Sequence, residues 1–102
     1  MNQVNWTRAA RRDLADALDY LLRYNEQAAR NFVQSLEQKE TLYARSPAMG
    51  SVYPELSGNL RSFVVKSYVV FYQETSNGIT IIRLIHGARD ISHLLENQPD
   101  EK

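Results

Sequence analysis

The chain has no cysteine, which excludes disulfides and thiolate-bound metal while permitting a reducing compartment. It has no apolar run near the roughly 20 residues that a membrane-crossing helix needs; the longest resemble Val69-Val70-Phe71-Tyr72. Neither sign of charge is in excess, since 12 Lys and Arg balance 12 Asp and Glu. A broadly basic surface for gripping nucleic acid is therefore lacking, and any basic site is local. Histidine is scarce: His86 and His93 have no cysteine or carboxylate cluster beside them to complete a zinc site. No metal and no cofactor are expected. No phosphate-cradling glycine loop and no nucleophile elbow occurs, so nucleotide hydrolysis and acyl transfer have no support. Between Met1 and Arg12 no apolar stretch separates the charges, so no secretory signal is read and a cytoplasmic protein is expected.

What is present suits one core. The 102 residues, 43% of them apolar, match a common domain size, read as a single domain over 1–96 with a polar tail over 97–102. Gln3 to Trp6 reads as a short strand. Thr7 then stands at a helix N-cap, and Ala10, Leu14, Ala17, Leu18 and Leu21 recur at helical spacing, predicting a helix over 8–23. Asn25 caps a second helix with Ala29, Phe32, Val33, Leu36 and Tyr43 on its stripe, ending before Pro47. The short link predicts an antiparallel helical hairpin. Pro47, Gly50, Pro54 and Gly58 mark an irregular connection over 46–59.

Beyond it the period becomes that of strands: 60–65, 68–73 and 79–86, rich in Val, Ile, Phe and Tyr, form an antiparallel meander. Asn77-Gly78 suggests a type I′ turn between the last two. The expected class is α+β: a short strand, a helical hairpin, a three-stranded meander completing one sheet, and a short third helix after Asp90. Alternation along the last strand puts Ile82, Leu84 and His86 on one face, and Ile79, Ile81, Arg83 and Ile85 on the other. Two helices cover one face only, so the other is expected to expose an apolar patch for a partner.

The order of elements, and the runs Ser46-Pro47-Ala48-Met49-Gly50, Pro54-Glu55-Leu56, Leu60-Arg61-Ser62-Phe63, Tyr68-Val69-Val70-Phe71-Tyr72 and above all Arg83-Leu84-Ile85-His86-Gly87-Ala88-Arg89-Asp90, resemble the ParE branch of the RelE/ParE superfamily of small toxins. The likeness covers Val4 to about Leu95. It implies a toxin of a type II toxin–antitoxin pair, held inactive by a cognate antitoxin in a hetero-oligomer. It also implies non-catalytic poisoning of DNA gyrase, with operator DNA met only through the antitoxin and no membrane partner. Target contacts are expected from Arg83, His86, Arg89 and Asp90, then Arg61 and Lys66; antitoxin contacts are expected from Ile79, Ile81, Arg83 and Ile85.

Two other readings stand beside this one. The RelE branch cuts messenger RNA on the ribosome, which needs an acid, a base and cations around a phosphate; His86, Arg61 and Arg83 are the candidates for it here. A toxin-like module that only binds its antitoxin is the other. Plainer roles are also open: His86 as a neutral core imidazole, Gly87 as a backbone pivot, Asp90 as a helix cap, and Arg61, Lys66 and Arg83 as sheet-edge or solvent-facing residues. Arg8, Arg11 and Arg12 with Asp13, Asp16 and Asp19 read as a solvated helix face, with Arg12–Asp16 and Asp19–Arg23 at pairing distance.

Overall fold

A computed structural model describes residues 2–52 and 60–87. Strand β1 (Gln3–Trp6) leads into helices α1 (Arg8–Tyr24) and α2 (Glu26–Arg45), followed by a 3₁₀ turn (Pro47–Met49). Four strands complete the sheet: β2 (Ser51–Val52), β3 (Arg61–Val65), β4 (Tyr68–Thr75) and β5 (Gly78–His86). Their spatial order is β1-β5-β4-β3-β2. β1 runs parallel to β5, and every other pairing is antiparallel. The expected α+β architecture is present; a third helix after Asp90 and the tail 97–102 fall outside the described residues.

Both predicted caps hold the helices. The Thr7 hydroxyl accepts from Ala10 N at 3.0 Å, and the Asn25 carboxamide oxygen accepts from Gln27 N at 2.7 Å and Ala28 N at 3.3 Å, satisfying amides that a helix start leaves open. The hairpin packs Ala10, Ala17, Phe32, Leu36 and Ala44 onto Phe63, Val65, Val70, Tyr72, Ile79, Ile81 and Leu84. Trp6 joins from β1, its indole N–H donating to Glu40 Oε1 at 2.7 Å. Burial there pushes the Glu40 carboxyl above its ordinary value against the opposing pull of the Trp6 bond.

Three expectations change. First, strict alternation along β5 fails. Phe71 pairs with Arg83 while Tyr72 pairs with Ile81, so Ile82 is an extra residue, a β-bulge. Ile79 and Ile81 before the bulge and Leu84 beyond it all face the helices. Thr7 holds the bulge, donating its hydroxyl to Ile82 O at 2.8 Å and its amide to Ile81 O at 3.0 Å. Second, the sheet face opposite the hairpin is not broadly exposed. Phe71 and Ile85 are buried although neither belongs to the helix-facing cluster. Among the described residues, the large apolar side chains that meet solvent are Tyr20, Leu22 and Tyr24 on α1, Leu42 on α2, Met49 and Val52 after it, and Val64 on β3.

Third, the turn before β5 centres on Ser76 and Asn77, and Gly78 already pairs as the first residue of that strand. Its role is close approach: a Cβ there would lie 1.8 Å from Gln3 O on β1. Among the described non-glycine residues, the one in the left-handed region is instead Lys66, at φ 55°, in the β3–β4 turn. The connection after α2, expected to be irregular, contains the short strand β2. Two pairs to β3, Ser51 with Ser62 and Val52 with Arg61, give too short a ladder for a periodic signal. Where β2 no longer covers β3, Lys39 donates to Val64 O at 2.6 Å, closing an edge with a cation.

Candidate functional site

β1 stops opposite Ile81, and past that point the edge of β5 is met by α1 instead of a strand. Asp13 replaces the missing neighbour. Its Oδ2 accepts from Leu84 N at 3.0 Å and from Arg83 Nε at 2.6 Å, and its Oδ1 accepts from the Arg83 terminal nitrogen at 3.0 Å. The fork geometry makes this a bidentate, charge-assisted pair. Its side chains are only 18% and 14% exposed. Arg83, expected among open apolar residues as a contact for partners, is thus fastened to the protein's own helix.

Sequence reading had placed Asp13 on a solvated face. A signal was available: Asp13 lies three residues after Ala10 and four before Ala17, both buried, so it flanks the apolar stripe. Of the two predicted surface pairs, Asp19–Arg23 forms at 3.0 Å with both side chains exposed. Arg12–Asp16 is not among the ion pairs of the described residues, where Arg30–Glu26 is the other helix-surface pair.

Around Asp13 opens a cleft of about 290 Å³, lined by Asp16, Tyr20, Tyr68, Arg83 and His86. His86 is exposed, which removes the core-imidazole reading: it is the last residue of β5. Its ring meets Tyr68 edge-to-face at 5.2 Å, and the two residues are paired in the β4–β5 register. Tyr68 in turn packs against Phe32 at 5.2 Å. Tyr20, 51% exposed, donates its hydroxyl to Tyr24 at 3.3 Å. That bond raises the Tyr20 phenol above its ordinary value, keeping the ring neutral at pH 7. An adjoining hollow on the Tyr20–Tyr68–His86 wall continues to Lys66.

Arg61 sits elsewhere. It pairs across β3–β4 with Tyr72, whereas His86 pairs with Tyr68, four residues along β4 or roughly 13 Å. Its guanidinium donates to Ala48 O at 3.2 Å and Gly50 O at 3.1 Å. Tyr72 completes this fastening by donating to Pro47 O at 2.6 Å, and burial pushes its phenol up, preserving the donor. Gly50 is required there, because a Cβ would come within 2.1 Å of the Tyr72 hydroxyl.

The grouping His86, Arg61 and Arg83 drawn for phosphate cleavage is therefore not assembled: one cation is distant and the other is bound to Asp13. Ile79 and Ile81, expected on a docking face, are fully buried. Arg89 and Asp90 lie outside the described residues, and no group of three or more metal-ligating side chains occurs among the described ones.

A helical hairpin across a mixed five-stranded sheet, with an aromatic cleft where the last strand leaves it, defines a small α+β domain. The family model for the ParE toxin of type II toxin–antitoxin systems, parDE, matches residues 4–91, and the chain belongs to that family. The fold is similar to a chain of the chromosomal ParDE toxin–antitoxin system from P. aeruginosa, with a TM-score of 0.66 and 20% identity over 84% of this chain and 96% of that one. No curated protein matches. No helix among the described residues is long and apolar enough to cross a membrane.

Proposed function

We propose that this ParE-family toxin acts in the cytoplasm by binding DNA gyrase, without catalysis of its own, and is silenced by a cognate antitoxin. Family membership supplies the toxin class. The observation that favours binding over ribonuclease chemistry is the state of the two arginines: Asp13 occupies Arg83, backbone carbonyls occupy Arg61, and the second stands roughly 13 Å along the sheet and two strands across from His86. The target surface is the exit of β5, where His86 and Lys66 are exposed and Arg89 and Asp90 follow in sequence. Arg83 shapes that surface from beneath.

Because Ile79 and Ile81 are buried, the antitoxin surface proposed here is a different one. A groove of about 410 Å³ runs between the helices, lined by Leu18, Leu22, Ala29 and Val33 with Arg30 and Glu37 at its rim. An amphipathic antitoxin segment suits such an apolar floor and charged rim. Purified toxin is expected to inhibit gyrase supercoiling and accumulate cleaved DNA, and antitoxin is expected to reverse both. Growth arrest with cut message and unaffected gyrase would replace this reading with the ribonuclease one.

A further inference from the structure

The cleft beside Asp13 holds a carboxylate of a different standing. Both Asp13 oxygens are engaged by Arg83 and Leu84, so that pair cancels its own charge. Asp16, one turn further along α1, is exposed and has no hydrogen-bond or ion-pair partner among the described residues. It is flanked by the rings of Tyr20, Tyr68 and His86. Among the described residues the cleft therefore carries one unpaired carboxylate beside several aromatic side chains. Phosphate is repelled by such a site, and a planar cation is attracted both by the carboxylate and by the ring quadrupoles.

We infer that this cleft receives an arginine side chain from a polypeptide partner, its guanidinium stacked on the Tyr20 and Tyr68 rings and forked onto Asp16. A guanidinium fits better than an ammonium because it is planar, more weakly hydrated and able to bind a carboxylate through two parallel bonds. The volume of about 290 Å³ lies at the lower limit of small-molecule sites, which suits a single side chain. Exposed tyrosines around a charged centre are also the side chains that dominate binding energy in protein interfaces. The inference rests on the reading that the toxin works through protein partners, but not on which partner it is.

The test uses the full chain and three blocked tripeptides: Ala-Arg-Ala, its citrulline counterpart and Ala-Lys-Ala. Backbone and aromatic NMR shifts are followed during titration. The arginine peptide should move signals of Asp16, Tyr20, Tyr68 and His86 as one saturable group, and the citrulline peptide, isosteric but neutral, should not. Asp16→Asn and Tyr20→Ala, both at exposed positions, should each weaken binding at least about fivefold with the melting temperature unchanged. Citrulline binding as well as arginine would overturn the inference, as would an Asp16→Asn variant of unaltered affinity. Equal binding by the lysine peptide, or the same shifts caused by a mononucleotide, would also overturn it. Antitoxin binding and gyrase inhibition by the unmodified protein, measured in parallel, show whether the broader reading stands when the cleft assignment fails.

Discussion

The two ends of the sheet carry similar residue types to opposite ends. Near β2, Arg61 and Tyr72 hold backbone carbonyls of the 47–50 loop, so their polar atoms face the protein's own chain. At the exit of β5, Tyr20, Asp16, Lys66 and His86 face solvent around a cleft. Arg83 stands between these cases, near the cleft but held by Asp13. An arginine or tyrosine on a toxin's sheet therefore announces nothing by its type. What separates scaffold from surface is whether its donors already meet backbone or a buried carboxylate.

That contrast breaks if the fastened residues prove dispensable to the fold. The largest effect is expected from Asp13→Ala, which leaves Arg83 and the Leu84 amide without their carboxylate; chemical denaturation should show a loss of about 3 kcal/mol, as for other largely buried pairs cut on one side. Replacing Asp13 with Leu and Arg83 with Met together should recover part of it. A loss below about 1 kcal/mol would mean that water takes the place of Asp13. Tyr72→Phe comes next. It removes the hydroxyl that donates to Pro47 O, and a decrease of about 1 kcal/mol is expected. Proteolysis within the 47–50 loop should quicken in that variant, because the hydroxyl shares with Arg61 the fastening of the loop to the sheet.

Much of the fold was legible in the sequence because helices, caps and strands are written in local spacing. Thr7, Asn25 and the apolar stripes needed no knowledge of the rest of the chain. The site was legible only in outline. His86 was singled out from the end of its strand, but the bulge at Ile82 depends on where Thr7 arrives from β1, a contact 75 residues apart in sequence. One inserted residue turned Ile81 and Leu84 to the same side and undid the expected grouping of Ile79, Ile81, Arg83 and Ile85. The pairing of Asp13 with Arg83 was similarly hidden, since its members are 70 residues apart. The one local hint was the position of Asp13 beside the apolar stripe of Ala10 and Ala17, which does not name its partner.

Glu40 sharpens the comparison from within the scaffold. Its folded-state carboxyl is raised by burial, so the protonated form is favoured in the native protein; this contribution is full below the unfolded value and is lost as pH rises through the folded one. Glu40→Gln keeps an acceptor for Trp6 and removes the charge. It should raise the melting temperature slightly at pH 7, and the advantage should vanish in acid, where Glu40 itself is neutral. Trp6 is the single tryptophan, so its fluorescence in the unmodified protein should titrate with a midpoint above that of an exposed glutamate. A midpoint at or below the exposed value would show that the indole bond outweighs burial.

The smallest stability effects are expected where the effect on toxicity is greatest. His86→Ala and Lys66→Gly alter exposed side chains and should each change stability by no more than about 0.5 kcal/mol. For Lys66 the left-handed backbone at φ 55° favours glycine, and relief of that strain offsets the added freedom of the unfolded chain. If the β5 exit is the target surface, either substitution should weaken gyrase inhibition and relieve growth arrest while leaving antitoxin binding through the helical groove intact. Asp13→Ala, in contrast, should lower toxicity and stability together. A folded His86→Ala, Lys66→Gly double variant that still arrested growth at the unmodified level would move the target surface away from this end of the sheet.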